Sequence, residues 1–364
     1  MRIRLVGPDA LIGPHFTYDM IRIDVAQFGD IGQSIYRPLD ELSISPEGLS
    51  PRLIKNGYDS YSMLNGRVYA LPLDPSVQIF LYRTDLFHDA KLCRAYYERF
   101  HENLVVPTTY EQYLHAAEFF TRSCNPDSPT EYGTTMTCGS ASVAASDFLP
   151  FYLSRIDRFG STPETLRLDS PEMQAAMRQY HALEKFSCKQ NWWGDSIQKF
   201  AEGKTAMTVI YSNYAAELIN SGNSVVVGRV GAAILPGCKP LLGGGIVGIS
   251  RYSQKAEACK QFFHWYYSAD VASLLVRLGG TSPIVDAYED FQNYSIFPWM
   301  NTSKKSFGLG QRGVINQTPE RFSIPKYEFA VGTAIRNVVQ DLMTPEDASR
   351  MAQALYDAAD PVCR

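Results

Sequence analysis

Long apolar runs are the first feature that this sequence of 364 residues lacks. Its richest apolar windows, residues 205–210 and 246–249, are far shorter than the roughly 20 residues that a membrane-spanning helix needs. The first residues do not resemble a secretory leader, since Gly7 and Pro8 would interrupt the apolar helix of such a signal. We therefore expect a soluble chain that does not insert into a membrane.

Closely spaced cysteines are also lacking. The seven cysteines are far apart and form no CxxC pair, which argues against a disulfide framework and against a zinc site. Free thiols suit a reducing compartment, so we expect a cytoplasmic protein. The alternative is an exported protein at the membrane surface, because a mature exported chain also has no leader.

Sequence signals of catalysis and of nucleic-acid binding are weak. No serine lies in a GxSxG motif, no HExxH occurs, and the six histidines are widely separated, so we predict no catalytic serine, no metal site and no cofactor. A net charge of -4 with scattered Lys and Arg residues predicts no direct binding to nucleic acid. The glycines at 243–245 lack the order of a phosphate loop, which favours a hinge or a close backbone approach.

The elements that are present predict an α/β protein. The length favours two compact units, and 45% hydrophobic residues provide for sizeable cores. Strands are predicted at 18–25, 67–74, 77–82, 205–211 and 225–234, and helices at 109–120, 142–154, 171–186, 255–267, 326–343 and 345–359. Their alternation predicts largely parallel sheets. Residues 301–323, rich in Gly, Ser, Lys and Arg, are predicted to form a mobile loop.

Polar residues at predicted strand ends are the first candidates for a binding site. They are Asp24, Asp74, Gln78 and Asn213, and each could instead be a cap or a turn residue. The second candidate is the pair Trp192 and Trp193, because two adjacent indoles do not both face one core. Flat aromatic rings stack on sugars, and packing in a core is an equal alternative for this pair.

Several short segments resemble those of a known family, and they occur in the same order. They are PLDEL at 38–42, GRVYALPLD at 66–74, LYRTDLF at 81–87, PTTYEQY at 107–113, FAEGKTAMT at 200–208 and GGGIVGIS at 243–250. They are similar to the family 1 extracellular solute-binding proteins, the group of the maltose-binding protein. WWGD at 192–195 and GRVG at 228–231 look more like a subgroup that is fused behind a GntR-type DNA-binding domain.

The resemblance implies the two-lobed fold of the periplasmic binding proteins (type II), with a ligand cleft between the lobes. The implied first lobe comprises residues 1–78 and 240–295, and the second comprises 79–239 and 296–364. The short stretch before Tyr18 suggests a first lobe that is truncated at its amino terminus. The binding candidates are Asp24, Asp74, Gln78, Trp192, Trp193, Tyr211, Asn213 and Gly244, joined by Phe148, Tyr152 and Glu328 if the second-lobe alignment holds.

The function implied is closure on a small polar solute, a carbohydrate above all, without covalent chemistry. We interpret the chain first as the sensor part of a transcriptional regulator, with the substrate-binding protein of an ABC sugar transporter as the alternative. The implied partner is then a fused DNA-binding domain or a transporter permease. A hydrolytic enzyme with Asp74 and Asp195 as paired carboxylates is the rival from another class, and a scaffold that has lost ligand binding is a third possibility.

Overall fold

The structure is a computed structural model that describes residues 3–6, 11, 18–50, 52–54, 61–156, 167–220, 222, 224–312 and 323–358. The strands are β1 (Met20–Asp24), β2 (Met63–Leu64), β3 (Arg67–Val68), β4 (Leu71–Arg83), β5 (Thr134–Thr137), β6 (Ser187–Gln190), β7 (Met207–Tyr211), β8 (Val230–Ala233) and β9 (Leu242–Ile249).

The helices are α1 (Phe28–Ile35), α2 (Pro46–Leu49), α3 (Thr84–Phe87), α4 (Ala90–Phe100), α5 (Tyr110–Phe119), α6 (Ala141–Leu153), α7 (Pro171–Glu184), α8 (Trp193–Ala201), α9 (Glu217–Asn220), α10 (Ala256–Tyr266), α11 (Ala269–Arg277), α12 (Asp286–Glu289), α13 (Phe291–Ile296), α14 (Met300–Leu309), α15 (Ile324–Val339) and α16 (Pro345–Ala358). In the described chain, no helix has the length and apolar character that crossing a membrane requires.

One curled sheet organises the molecule. It has the order β1-β9-β4-β7, with β8 also paired to β4. The first half of β4 pairs with β9 from Leu71 to Val77, and the second half pairs with β7 and β8 from Gln78 to Arg83. The strand is therefore shared by two regions of the sheet.

The prediction of largely parallel sheets is wrong for this sheet. All of its ladders are antiparallel, and β5 with β6 forms the parallel pair among the named strands. The reason is that β4 and β9 pair across a sequence separation of more than 150 residues, so their directions follow from how the chain crosses between lobes. The order of strands and helices along the chain therefore does not predict the direction in which these strands pair.

Two further predictions need correction. The strand break expected at Pro75 does not occur, because β4 runs through this residue, whose ladder partner is Gly244, after a bulge between Pro72 and Asp74. The predicted mobile loop at 301–323 is wrong over residues 301–309, which belong to α14. Residues 313–322 of that prediction lie outside the described chain.

Side chains of the shared strand alternate between two apolar cores. Val77, Ile79 and Leu81 join the first core, which also contains residues of β1, β9 and α10. Phe80 points to the second core, which is built from α5, α6, α7 and α15. This period of two is what a strand buried on both faces requires. The lobe boundaries predicted from the sequence remain a prediction.

Two helices begin at residues of the types that favour capping. Thr109 accepts a hydrogen bond from the Gln112 backbone N–H at 3.2 Å, and the Gln112 side chain reaches back in a capping box. The Ser170 side chain caps α7 by accepting a hydrogen bond from the Met173 backbone N–H, with Pro171 in the first turn.

Candidate functional site

Strands β1, β9 and β4 bring two acidic candidates to one place. Asp24 at the end of β1 and Asp74 in β4 both pair in register with Gly245 of β9, one from each side. Asp24 also caps the short 3-10 helix Val25–Gln27, where its Oδ1 accepts a hydrogen bond from the Ala26 N–H at 2.9 Å. The two carboxylates therefore flank the same backbone segment.

A guanidinium lies beside these carboxylates. Arg22 of β1 donates to Asp74 through Nε at 3.2 Å and through Nη2 at 2.7 Å. Nearly half of each side chain is exposed, so the pair adds only about 0–1 kcal/mol to stability. Its main effect is to hold a cationic donor group near Asp24 at a partly open surface.

The glycine run at 243–245 makes room for three different neighbours. A Cβ atom at Gly243 would lie 2.6 Å from Cε1 of Tyr211, and one at Gly245 would collide with Arg22. Gly244 has φ +88°, and a Cβ there would collide with the carbonyl oxygen of Asp74. Close backbone approach explains these glycines, as expected from their lack of a phosphate-loop pattern.

Four aromatic side chains form a continuous cluster next to this region, which we call the aromatic wall: Trp192, Trp193, Tyr211 and Tyr214. Trp193 lies edge-on to Tyr211 with ring centroids 4.9 Å apart, and Trp192 lies 4.8 Å from Trp193. Trp192 is 46% exposed and Trp193 only 6%. The adjacent indoles thus divide as expected, one inward and one toward solvent.

The buried indole has an unusual feature. Nε1 of Trp193 has no hydrogen-bond partner among the described residues, although it is shielded from solvent. A buried N–H without a partner costs about 1–3 kcal/mol.

The end of β7 connects the aromatic wall to β4. Asn213 accepts a hydrogen bond from Ser76 Oγ through its Oδ1 at 2.7 Å, and its own backbone N–H lies 3.3 Å from the same Oγ. The Tyr214 hydroxyl has side-chain hydrogen bonds with Trp192 and Asn213, which partly offset the rise in its pKa caused by burial. Asn213 is thus both a structural partner of β4 and a partly exposed neighbour of Trp192.

The charge of Asp24 acts on several side chains of this region. It contributes to the pKa of six side chains, in each of which burial is the largest influence: Arg22, Tyr61, Tyr211, Tyr214, Arg312 and Glu328. Such coupling needs proximity, because interactions between charges weaken with distance and with screening by solvent.

Glu328 of α15 is buried and forms an ion pair with Arg312, whose Nη2 donates to Oε2 at 3.1 Å. Arg312 also donates through Nη1 to the Tyr211 hydroxyl at 2.7 Å and to the Leu242 carbonyl at 3.0 Å. Burial opposes the charge of Arg312, but the combined attraction of four groups outweighs it and raises the pKa of the guanidinium; these groups are Glu328, Tyr211, Asp24 and Tyr61.

Gln78, Phe148 and Tyr152 have no exposed surface of note. Gln78 is fully buried where β4 passes from β9 to β7, and its amide is satisfied by backbone groups of Ser146 and Leu241. Phe148 packs edge-on against Tyr180 in the second core, and Tyr152 is buried in the same core. Among the other candidates, Asp24 and Asp74 flank Gly245, and Tyr211 contacts both Gly243 and Trp193. Gln78, Phe148 and Tyr152 lie in supporting positions in the interior.

The sequence as a whole matches a described family. Residues 17–299 match the family of bacterial extracellular solute-binding proteins. The chain belongs to this family.

Solved structures of other solute-binding proteins share the fold. An ABC transporter solute-binding protein from Agrobacterium radiobacter K84, in complex with ribitol, has a TM-score of 0.75 at 21% identity, over 93% of this chain and 84% of that one. One from Thermotoga lettingae TMO, bound with alpha-D-tagatose, has a TM-score of 0.72 at 17% identity, over 93% and 85%. The maltose-bound MalE3 of T. maritima has 0.70 at 19%, over 93% and 84%. The predicted two-lobed α/β fold is therefore confirmed.

Membership of the extracellular solute-binding proteins changes one expectation and supports another. The prediction of a cytoplasmic protein is wrong, because this family is extracellular, and the widely spaced free cysteines were a poor guide to the compartment. The family consists of binding proteins, which agrees with the prediction that the chain is not an enzyme. The alternative of a hydrolytic enzyme required Asp74 and Asp195 to act as paired carboxylates. Asp74 instead pairs with Arg22, and Asp195 is exposed in the first turn of α8.

Arg22 and Arg312 are the charged residues of this region of the solute-binding protein that the sequence did not reveal. Arg22 could have been found, because it lies two positions before Asp24 in a strand and so shares its face. Arg312 offers no such signal. Its partners Tyr211 and Leu242 are 101 and 70 residues away, and the residue lies inside the segment 301–323 that was predicted to be a loop.

Proposed function

We propose that this solute-binding protein is the substrate-binding component of an ABC transporter, and that a sugar or polyol binds beside Asp24, Arg22 and Trp192. The observation that carries the proposal is the half-exposed indole of Trp192, which is hydrogen-bonded to Tyr214, a residue within reach of the charges of Asp24 and Arg22 at the crossing of the sheet. Apolar faces with a few placed polar groups are the usual composition of small-molecule sites.

The polar groups match the chemistry of hydroxyls. Oδ1 of Asp24 accepts the capping hydrogen bond from the Ala26 N–H. A carboxylate has two oxygens with about four acceptor positions, so Asp24 can also accept hydrogen bonds from O–H groups of a ligand. Arg22, oriented by Asp74, supplies N–H donors for ligand oxygens. A neutral ligand whose hydroxyls both donate and accept satisfies these two groups together, and the indole of Trp192 covers its C–H face.

The ligands of the similar structures support this class of ligand, since they include a polyol, a ketose and a disaccharide. Two of those proteins are described as components of ABC transporters, which supports the transport role over a regulatory one. A sensor role in a regulator, our first interpretation of the sequence, has no such support. The expected partners are therefore the solute and a transporter permease.

Binding is tested by calorimetry with ribitol, D-mannitol, D-tagatose and maltose against the purified chain and two matched variants. Asp24→Asn removes the charge at the proposed site, and Asp89→Asn changes the equivalent cap of α4 far from it. Asn caps helices as well as Asp does, so both variants should fold. We expect at least one ligand to bind, with an affinity reduced tenfold or more by D24N and within twofold of wild type for D89N. No binding by any of the four, or equal effects of both variants, would contradict the proposal.

The transport role has its own test. Deletion of the gene in the source bacterium should abolish uptake of the radiolabelled ligand that binds, and plasmid-borne wild type should restore it. Uptake that is unchanged, together with altered transcription of neighbouring genes, would instead favour the regulatory role.

A further inference from the structure

Arg312 lies where three chain segments meet between the two cores. Its neighbour Gln311 donates its backbone N–H to the Pro240 carbonyl at 3.0 Å, and the Leu242 N–H donates to the Gln311 carbonyl at 2.9 Å. Leu241 in turn pairs with Gln78 of the shared strand β4. The residue before Arg312 is thus hydrogen-bonded to the segment at the start of β9, and Leu241 links this segment to β4.

The guanidinium itself is only 9% exposed and contacts groups of three different elements. These are Glu328 of α15, the Leu242 carbonyl of β9 and the Tyr211 hydroxyl of β7. Taking both charges of an ion pair out of water costs about as much as their attraction returns, so a buried pair is weak evidence for stability. A role in fixing the orientation of its neighbours explains its position better.

Tyr211 is held at its hydroxyl, which has hydrogen bonds with Arg312 and with the Ser146 side chain, and also at its ring. Arg312 fixes its hydroxyl at 2.7 Å, and the ring lies so close to the β9 backbone that a Cβ at Gly243 would be 2.6 Å from it. The same ring meets Trp193 edge-on at 4.9 Å, and Trp193 meets the exposed Trp192 at 4.8 Å. A continuous series of contacts therefore joins the junction of the lobes to the exposed indole.

We infer that Arg312 is a positioning residue, which orients the aromatic wall for its ligand through Tyr211 and couples this orientation to movement between the lobes. The inference rests on the proposed function, and it adds a residue with no place in the ligand-contacting set. Movement of the segment that carries Gln311 displaces the guanidinium, and Tyr211 and the indoles move with it. A site built on such support keeps its geometry only while the supporting hydrogen bonds persist.

The test compares Arg312→Lys and Tyr211→Phe with the control Arg83→Lys. Arg83 is a matched control because it is similarly buried and paired bidentately with Asp85, on a part of β4 that does not touch the aromatic wall. Lys keeps the charge but not the forked donors, and Phe removes only the hydroxyl. The first readout is near-UV circular dichroism of the ligand-free proteins, which reports the packing of the four tryptophans.

We expect R312K and Y211F to lower the tryptophan bands and R83K to leave them at wild-type intensity, while far-UV spectra stay the same for all three. The second readout is affinity for ribitol, D-mannitol, D-tagatose and maltose, where R312K and Y211F should lose fivefold or more and R83K less than twofold. Wild-type near-UV bands in Y211F, or equal losses in R312K and R83K, would overturn the inference. Since the first readout needs no ligand, it decides the role of Arg312 even where none of the four probes binds.

Discussion

Gln78 and Leu241 are joined by two hydrogen bonds that run in opposite directions. The Gln78 backbone N–H donates to the Leu241 carbonyl at 3.1 Å, and the Leu241 N–H donates to the Gln78 side-chain Oε1 at 2.9 Å. The remaining part of the same amide, Nε2, donates to the Ser146 carbonyl of α6 at 2.8 Å. One buried side chain therefore fixes the shared strand, the start of β9 and a helix of the second core.

Replacing this side chain by one of similar size should destabilise the protein. Gln78→Met keeps the volume but leaves the Leu241 N–H and the Ser146 carbonyl without this partner. Each unsatisfied buried group costs about 1–3 kcal/mol, so for two groups we expect a total loss of about 2–6 kcal/mol in the free energy of unfolding. Urea unfolding measures it, with Gln198→Met on the exposed face of α8 as control. A loss below about 0.5 kcal/mol would show that Gln78 does not hold the junction.

The exposed indole of the aromatic wall should matter for binding and little for folding. Trp192→Ala should reduce the affinity of the tightest-binding sugar or polyol about tenfold, equivalent to about 1.4 kcal/mol. Its unfolding free energy should change by less than about 1 kcal/mol, because the ring is half exposed. Trp265→Ala on α10 removes an indole of similar exposure and should not alter affinity. Equal effects of the two variants on calorimetric affinity would argue against stacking on Trp192.

Gly244 should not tolerate a side chain. Gly244→Ala places a Cβ against the carbonyl oxygen of Asp74 in a residue with φ +88°, so we expect a loss of more than about 2 kcal/mol. Gly308→Ala, in the last turn of α14 where a Cβ meets open space, should be neutral or stabilise by about 0.5–1 kcal/mol. Thermal unfolding of both variants checks the prediction, which fails if G244A melts with or above the wild type.

Buried Asp147 should make stability depend on pH. Burial raises the pKa of Asp147 to about 7, and hydrogen bonds from Tyr180 and the Thr137 N–H oppose the shift. A carboxyl with a raised pKa in the folded state holds a proton that the unfolded chain releases, so its contribution is complete below about pH 4 and is lost as pH rises through about 7.

Measured against Asp147→Asn, the wild type should therefore lose about 1–4 kcal/mol of unfolding free energy between pH 4 and pH 8. Asp127→Asn, on an exposed carboxyl, should follow the wild-type curve throughout. Wild-type and D147N curves that run parallel across this range would contradict the assignment.

Local rules predicted local structure well. Thr109 and Ser170 cap their helices as their sequence context indicates, and β1 ends at Asp24, as expected. The direction of strand pairing was beyond such rules, because β4 and β9 meet only through the crossing of the chain between lobes. Residues within a few positions of each other determine caps and periodicity, whereas pairing is a property of the whole fold.

In the candidate site, too, the residues marked by local patterns were predicted and a residue with only distant partners was missed. Asp24, Asp74 and the two indoles were predicted from strand ends and from adjacency. The structure places both carboxylates beside Gly245 and packs the indoles against each other and against Tyr211. Their roles as ligand contacts stay a prediction. Arg312 was missed because each of its partners is at least 16 residues away, so no spacing in the sequence marks it.

The alternation of β4 between the two cores has a mechanical consequence. Ile79 is embedded in the first core and its neighbour Phe80 in the second, so the same few residues anchor the strand in both lobes. Melting of either core exposes one face of β4 and weakens the ladder on which the other core rests. The two cores are therefore coupled in stability, and the chain should denature as one cooperative unit rather than lobe by lobe.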